Sequence, residues 1–370
     1  MNTKRLIIYA SAITAFTGGS YTILSDLIKG TKELQGIKVT LLGSSTFSDV
    51  CSAHDIELVP IEHNLKWMRR FCWEFIFSIK FLKKFENDEV VFISLQNSLP
   101  RLPRKFKSII YLHQPLPYDE NIRIPFKYFR SWLKQKIYPF FVEVNLKETS
   151  KVIVQTEWMR RGAARIHKIN HINILIHRPK IEIAGGTIVE WTGPKDSGIV
   201  LFYPAKFYFH KNHFNLIAAL NLIMDEAVQN KKIELKLTLS SEEFEILKRK
   251  FSPRSKNINL INMGSISREE VFKQLSISSA MIFPSISETF GLPLIEAEAV
   301  GSPILVSDLD YAHEVIDGYS DVIFFNPNNV TDIVRAIESF VTNPLVRLNE
   351  KKIRELSEIS LLEIISKEFN

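Results

Sequence analysis

Two carboxylates, Glu288 and Glu296, stand with seven residues between them inside PSISETFGLPLIEAEAVGSPILVSD (284–308). Two lysines, Lys206 and Lys211, stand in the earlier segment YPAKFYFHKNH (203–213). A carboxylate can hold sugar hydroxyls or offset a developing positive charge. A lysine can neutralise phosphate. Between the two glutamates, Gly291 and Pro293 punctuate the chain where a helix begins, and a helix N-terminus offers free N–H groups and partial positive charge to an anion. Hydroxyl binders, phosphate binders and a helix tip together give the layout of a pocket for a nucleotide diphosphate-sugar.

The spacing of the glutamates carries little alone. Glu226/Glu234, Glu350/Glu358 and Glu355/Glu363 are equally separated and read as solvated helix faces or strand ends. The surrounding elements make the difference. Residues 280–283 are a short apolar run, expected as a buried strand. Gly301 stops the helix that follows, Pro303 prevents its continuation, and residues 304–306 form the next strand. This is one βαβ unit, and in such sheets ligands bind outside the carboxyl ends of the strands. The loop 285–292 falls there.

At these residues the sequence resembles the family 4 glycosyltransferases, which are retaining enzymes of the GT-B fold. The match runs through ETFGLPLIEA (288–297), Gly301-Ser302-Pro303 and Ser307-Asp308, then through Tyr203 to Lys206 and His210 to His213. A looser match is YLHQP (111–115). The resemblance implies that Glu288 faces the donor sugar and that Glu296 holds the ribose hydroxyls. It implies that Thr289, Phe290, Gly291 and Leu292 line the sugar and diphosphate. The family usually carries an arginine five residues before the phosphate-binding lysine; here that place is Lys206, with Lys211 following. A planar fork is thereby replaced by a point charge. His113 stands where the family has a histidine contacting the transferred sugar, although a strand-end histidine is also a common structural residue. Gly18 and Gly19 would let backbone approach the diphosphate, and an ordinary turn explains the pair equally well.

Breaking a sugar–phosphate bond leaves positive charge at the anomeric carbon and negative charge on the diphosphate, and catalysis must stabilise both. Lys206, Lys211 and the helix tip near Pro293 could serve the diphosphate without a metal. His177, His210 and His213 lack an accompanying carboxylate or cysteine cluster, so no metal and no cofactor beyond the donor are expected. Glu288, Lys211 and His113 are the expected catalytic set.

The chain has 370 residues, enough for two domains, with 45% hydrophobic and 24% charged residues. Cys51 and Cys72 form no disulfide framework, which suits a reducing, cytoplasmic compartment. A net charge of +6 permits attraction to anionic membranes or phosphorylated substrates. No nucleic-acid motif accompanies it, so no nucleic-acid partner is expected. Lys4-Arg5 before an apolar run mimics a signal peptide, but interrupting Ser, Thr and Gly residues favour a first buried strand and a glycine turn.

Strand-like and helix-like runs alternate through both halves, which argues for an α/β protein with parallel sheets. Strands are expected at 5–10, 38–42, 56–59, 89–93, 108–112, 151–154, 199–202, 233–239 and 257–261. Helices are expected at 21–29, 158–167, 214–229, 269–277 and 351–367. The domain boundary is expected between 177 and 194, near Ala184-Gly185-Gly186 and Thr192-Gly193-Pro194. The expected organisation is an acceptor-side Rossmann-like domain over 1–180 and a nucleotide-sugar-binding one over 181–350. A terminal helix in 351–370 would pack back on the first; two domains facing across a cleft follow from the resemblance.

Residues 65–85 and 122–144 are rich in aromatics and in Lys and Arg. They suit either a buried helix with snorkelling cations or a helix lying on an anionic membrane. The overall expectation is a metal-independent, retaining glycosyltransferase. It moves a sugar to a glycan acceptor, lipid-linked, in surface polysaccharide synthesis, peripherally on the inner face of the plasma membrane. A nucleotide-sugar epimerase of the same fold, or a catalytically silent binding subunit, are the alternatives.

Overall fold

The computed structural model describes residues 3–10, 19–61, 72–148, 150–179, 190–194, 198–343 and 360–369. The chain divides into two compact units, one of residues 1–179 with 356–370 and one of residues 180–355. Gly18, the glycine-rich segment near 184–186, residues 65–71 of the first aromatic stretch, and most of the expected terminal helix lie outside the described residues.

The first unit holds seven parallel strands in the order β3-β2-β1-β4-β5-β6-β7. They are β1 (Lys4–Tyr9), β2 (Ile37–Gly43), β3 (Glu57–Pro60), β4 (Glu89–Ser94), β5 (Lys107–Tyr111), β6 (Lys151–Val154) and β7 (Ile174–Ile176). Its helices are α1 (Gly19–Gly30), α2 (Ser48–Ala53), α3 (Ser78–Leu82) after a π-helical turn Trp73–Phe77, α4 (Phe129–Glu143) and α5 (Glu157–His167). The second unit holds six parallel strands in the order β10-β9-β8-β11-β12-β13. These are β8 (Ile199–Tyr203), β9 (Ile233–Leu237), β10 (Ile258–Asn262), β11 (Ala280–Phe283), β12 (Ile304–Ser307) and β13 (Val322–Phe325). Its helices are α6 (His213–Leu222), α7 (Ser241–Lys248), α8 (Arg268–Ile277), α9 (Leu292–Val300), α10 (Asp310–Val315) and α11 (Val330–Thr342). The chain then returns to the first unit as α12 (Leu361–Glu368).

Strand β1 shows why these sheets are covered on both faces. Side chains alternate across a strand. Leu6 and Ile8 join one core with Ile23, Leu24, Leu27 and Ile28 of α1 and with Leu361, Ile364 and Ile365 of α12. Ile7 and Tyr9 join the opposite core with Phe85, Val142 and Met159. A strand buried on both sides must be apolar throughout, as parallel sheets require.

Two expectations need correction. The helix expected over 214–229 ends at Leu222: Ile223 is extended, and only a short turn, Glu226–Val228, follows. The Asp225 carboxylate accepts hydrogen bonds from the Ser255 hydroxyl and, at 3.0 Å, from the Asn257 side-chain amide, while Gln229 and Asn230 adopt left-handed backbone. Both features pull the chain out of helix. Strands β7 and β13 were not expected. Both are short edge strands with partly exposed residues, so neither shows a long apolar run.

Candidate functional site

In the second sheet β8 has β9 on one side and β11 on the other, so chain order reverses at the β8/β11 boundary. Loops leaving the carboxyl ends of such a pair diverge, and a crevice opens between them. Lys211 lies on the loop after β8 and Glu288 on the loop after β11. The Lys211 Nζ donates to Glu288 Oε1 at 2.5 Å, with side chains only 16% and 10% exposed. The ammonium also sits 5.4 Å from the centroid of the Phe283 ring.

Buried hydroxyls tie these two loops together. Tyr203, the last residue of β8, donates its hydroxyl to the Lys211 carbonyl at 2.6 Å and lies 3.2 Å from Ser285 Oγ. Tyr311 of α10 donates to the Ser285 carbonyl at 2.7 Å, and the Ile286 N–H donates to the His210 carbonyl at 2.8 Å. Burial holds both tyrosine hydroxyls far above their ordinary pKa, so they act as fixed donors. Asn212 adopts left-handed backbone and anchors its side-chain amide on the Pro327 carbonyl at 2.8 Å. His213 opens α6, buried against the Tyr203 ring. Burial, aided by the neighbouring Lys211 charge, pushes its pKa down to about 3, so it is neutral and packs as a ring.

Helix α9 starts as expected. Gly291 precedes it at φ 86°, a left-handed conformation that favours glycine, with a proline in the first turn. A Cβ built on Gly291 would stand 3.2 Å from Leu294 Cδ1. Gly301 closes the helix at φ 81°. Phe290 is buried beneath this loop; Thr289 and Leu292 are half-buried. Glu296 is buried in the helix, and burial raises its pKa to about 7 against the opposing charge of Arg268. The Arg268 Nε donates to Glu296 Oε1 at 3.2 Å.

Loops thus bring Lys211 and Glu288 into contact, and α9 carries Glu296 from the same carboxyl edge. Lys206 is not drawn into the pair: it is exposed, and its ammonium makes no hydrogen bond or ion pair to a described residue. Sequence reasoning missed Arg268, Tyr203 as an anchor, Tyr311 and Ser285. A usable signal existed for Arg268, since a cation in a first helical turn opposes the helix dipole and calls for a partner.

His113 and Gly19 belong to the first unit. Its sheet reverses order at the β1/β4 boundary in the same way. Gly19 opens α1 and is exposed. His113 follows β5, donates its backbone N–H to Asn97 Oδ1 at 2.7 Å, and is half-buried beside the Tyr111 ring. The buried Glu74, inside the π-helical turn, accepts from the Tyr9 and Ser98 hydroxyls at 3.0 Å each. Among the described residues no group of three or more His, Cys, Asp or Glu side chains is placed to hold a metal, and no helix is long and apolar enough to cross a membrane.

Residues 188–357 match the family model described as glycosyl transferases group 1. A serotype-specific mannosyltransferase WbdA of Escherichia coli is 33% identical over 134 residues, which is 36% of this chain and 16% of that protein. The O-antigen chain mannosyltransferase RfbU of Salmonella typhimurium is 35% identical over 80 residues, 20% of this chain and 22% of that protein. The chain therefore spans only a small part of the length of these curated relatives. The solved lipopolysaccharide outer core galactosyltransferase WaaB superposes with a TM-score of 0.61 at 15% identity, covering 91% of this chain and 90% of that one. That likeness extends over both units and shows the GT-B fold, two Rossmann-like parallel sheets with flanking helices. Over residues 188–357 this chain is thus similar to the glycosyl transferases of group 1.

Proposed function

We propose that this chain is a retaining, metal-independent glycosyltransferase. It moves a sugar from a nucleotide diphosphate donor to a glycan acceptor, lipid-linked, in bacterial surface polysaccharide synthesis. The observation that carries this reading is the Lys211–Glu288 pair across the β8/β11 switch point, with Glu296 buried on the adjacent helix. The names of the relatives, a serotype-specific mannosyltransferase and an O-antigen chain mannosyltransferase, favour a mannosyl-type hexose donor.

In this reading the α9 tip and Lys211 take the charge that builds on the leaving diphosphate. Glu288 faces the sugar, holds its hydroxyls and offsets oxocarbenium charge. The leaving phosphate oxygen accepts the proton of the incoming hydroxyl on the same face, so configuration is retained without a covalent enzyme intermediate. Lys206, exposed on the loop after β8, turns onto the diphosphate. Glu296 holds the ribose. His113 and the Gly18-Gly19 turn are read as sugar- and diphosphate-binding residues, and the first unit as the acceptor side.

The first unit's surface supports a reading of membrane contact. Ile76, Phe77, Phe126, Phe129 and Phe140 are exposed, and all lie in the two basic, aromatic stretches. The Phe126, Phe129 and Trp132 rings pack on one another with centroids 5.5 to 6.0 Å apart. An apolar cluster flanked by cations suits the surface of an anionic bilayer.

The test is a screen of nucleotide-sugars with lipid-linked acceptors, with products separated by chromatography and the anomeric linkage read by NMR. A glycosylated acceptor of retained configuration, formed in chelator, is expected, and Glu288→Gln should lower turnover far more than donor affinity. Interconversion of the donor without an acceptor would establish an epimerase instead. Activity abolished by chelator and restored by one metal would overturn metal independence.

A further inference from the structure

Arg268 lacks a hydrogen bond that burial ordinarily demands, and its partner Glu296 is itself buried. Among the described residues Arg268 is the one partner of the buried Glu296 carboxylate. In turn the Arg268 Nη2 is buried and meets no acceptor. A buried carboxylate with one contact, beside a buried guanidinium nitrogen with none, is costly unless a ligand completes both. The missing ligand must donate hydroxyl protons to the carboxylate and, next to them, present an oxygen to the guanidinium. A ribonucleoside has both, in its diol and in its ring or base oxygens.

We propose that Arg268 is a positioning residue for the nucleotide donor: it holds Glu296 ionised for the ribose diol and gives its spare N–H to an oxygen of the same nucleoside. The inference rests on the reading of Glu296 as the ribose carboxylate. Among the described residues the packing leaves this task to Arg268 alone. Helices α8 and α10 both pack against α9. Among the charged groups of α8, Glu270 pairs with Lys273 and Glu269 is exposed. On α10, His313 pairs with Asp308, and neither it nor Asp310 or Glu314 bears on Glu296. Glu298, on α9 itself, does not bear on Glu296 either. Glu296 sits where burial already favours the protonated acid, near neutrality, so the single guanidinium decides its charge.

The consequence is a donor affinity that rises with pH. Calorimetric titration with GDP-mannose and UDP-glucose between pH 5.5 and 8.5 reads it, because a diphosphate diester has no proton to lose in that range. Wild-type affinity should be about tenfold weaker at pH 6 than at pH 8. Arg268→Met should move the midpoint at least about one unit alkaline, because an opposite charge at hydrogen-bond distance shifts a carboxylate by roughly that much or more. Arg268→Lys should restore the midpoint while leaving affinity weaker through the lost fork. Glu296→Gln should flatten the profile. If Arg268→Met fails to fold, Arg268→Gln removes the same charge and should give the same shift. An Arg268→Met or Arg268→Gln profile parallel to wild type would overturn the inference while leaving the donor site standing. Absence of binding by both sugars, or wild-type affinity in Glu296→Gln, would overturn the donor site itself and the inference with it.

Discussion

Replacing Lys211 with methionine probes the pair on which the proposed donor site rests. The ammonium and the Glu288 carboxylate are 2.5 Å apart, and their side chains are only 16% and 10% exposed. Removing one member strands the other charge away from water, which in fully buried pairs costs about 3–5 kcal/mol. Because each group retains a little solvent, the lower end applies, about 3 kcal/mol off the stability of the second unit. Methionine keeps most of the apolar stem against Phe283, so the loss reports charge rather than volume. Urea unfolding followed by circular dichroism, at neutral pH, measures it. Glu288→Gln and the double variant complete a cycle, and the double variant should recover about 2 kcal/mol relative to the sum of the singles. A loss below about 1 kcal/mol in Lys211→Met, or simple additivity in the cycle, would refute a desolvated, coupled pair. The reasoning behind the donor pocket would then lose its electrostatic basis.

Three further outcomes follow from the same geometry. Gly291→Ala places a Cβ at left-handed φ 86° and 3.2 Å from Leu294, so about 1–2 kcal/mol of stability and part of the donor affinity should be lost by denaturation and calorimetry. His213 has a folded pKa of about 3, below its unfolded value, so the unfolded chain binds the extra proton as pH falls. Stability should therefore decline between about pH 6.5 and pH 4 by up to about 3 kcal/mol, and His213→Phe should remove most of that slope in acid titrations of unfolding. Sedimentation with anionic vesicles at low salt should pull down the wild-type chain and release it when Phe126 and Phe129 become serine; no binding of the wild type would favour a soluble acceptor.

The second unit was legible because its punctuation is local. Gly291, Pro293, Gly301 and Pro303 mark the ends of one helix, and each acts through backbone geometry that needs no tertiary partner. Strands such as β8, β11 and β12 announce themselves as buried runs for the same reason. What stayed hidden depends on partners distant in the chain. Arg268 meets Glu296 across 28 positions, and Tyr311 meets Ser285 across 26, neither with any spacing rule. Asp225 ends a helix by bonding to Ser255 and Asn257, which propensity in the window 214–229 cannot register. Glu74 was masked by aromatic neighbours that made its stretch look like a membrane face, although its carboxylate is turned inward to Tyr9 and Ser98.

The most direct measurement is a crystal structure of the chain soaked with an intact nucleotide-sugar. The account predicts the diphosphate at the start of α9 within hydrogen-bond reach of Lys211, the ribose diol on Glu296, and the sugar facing Glu288. A nucleotide bound elsewhere, or bound here with its ribose away from Glu296 and its diphosphate away from Lys211, would contradict it.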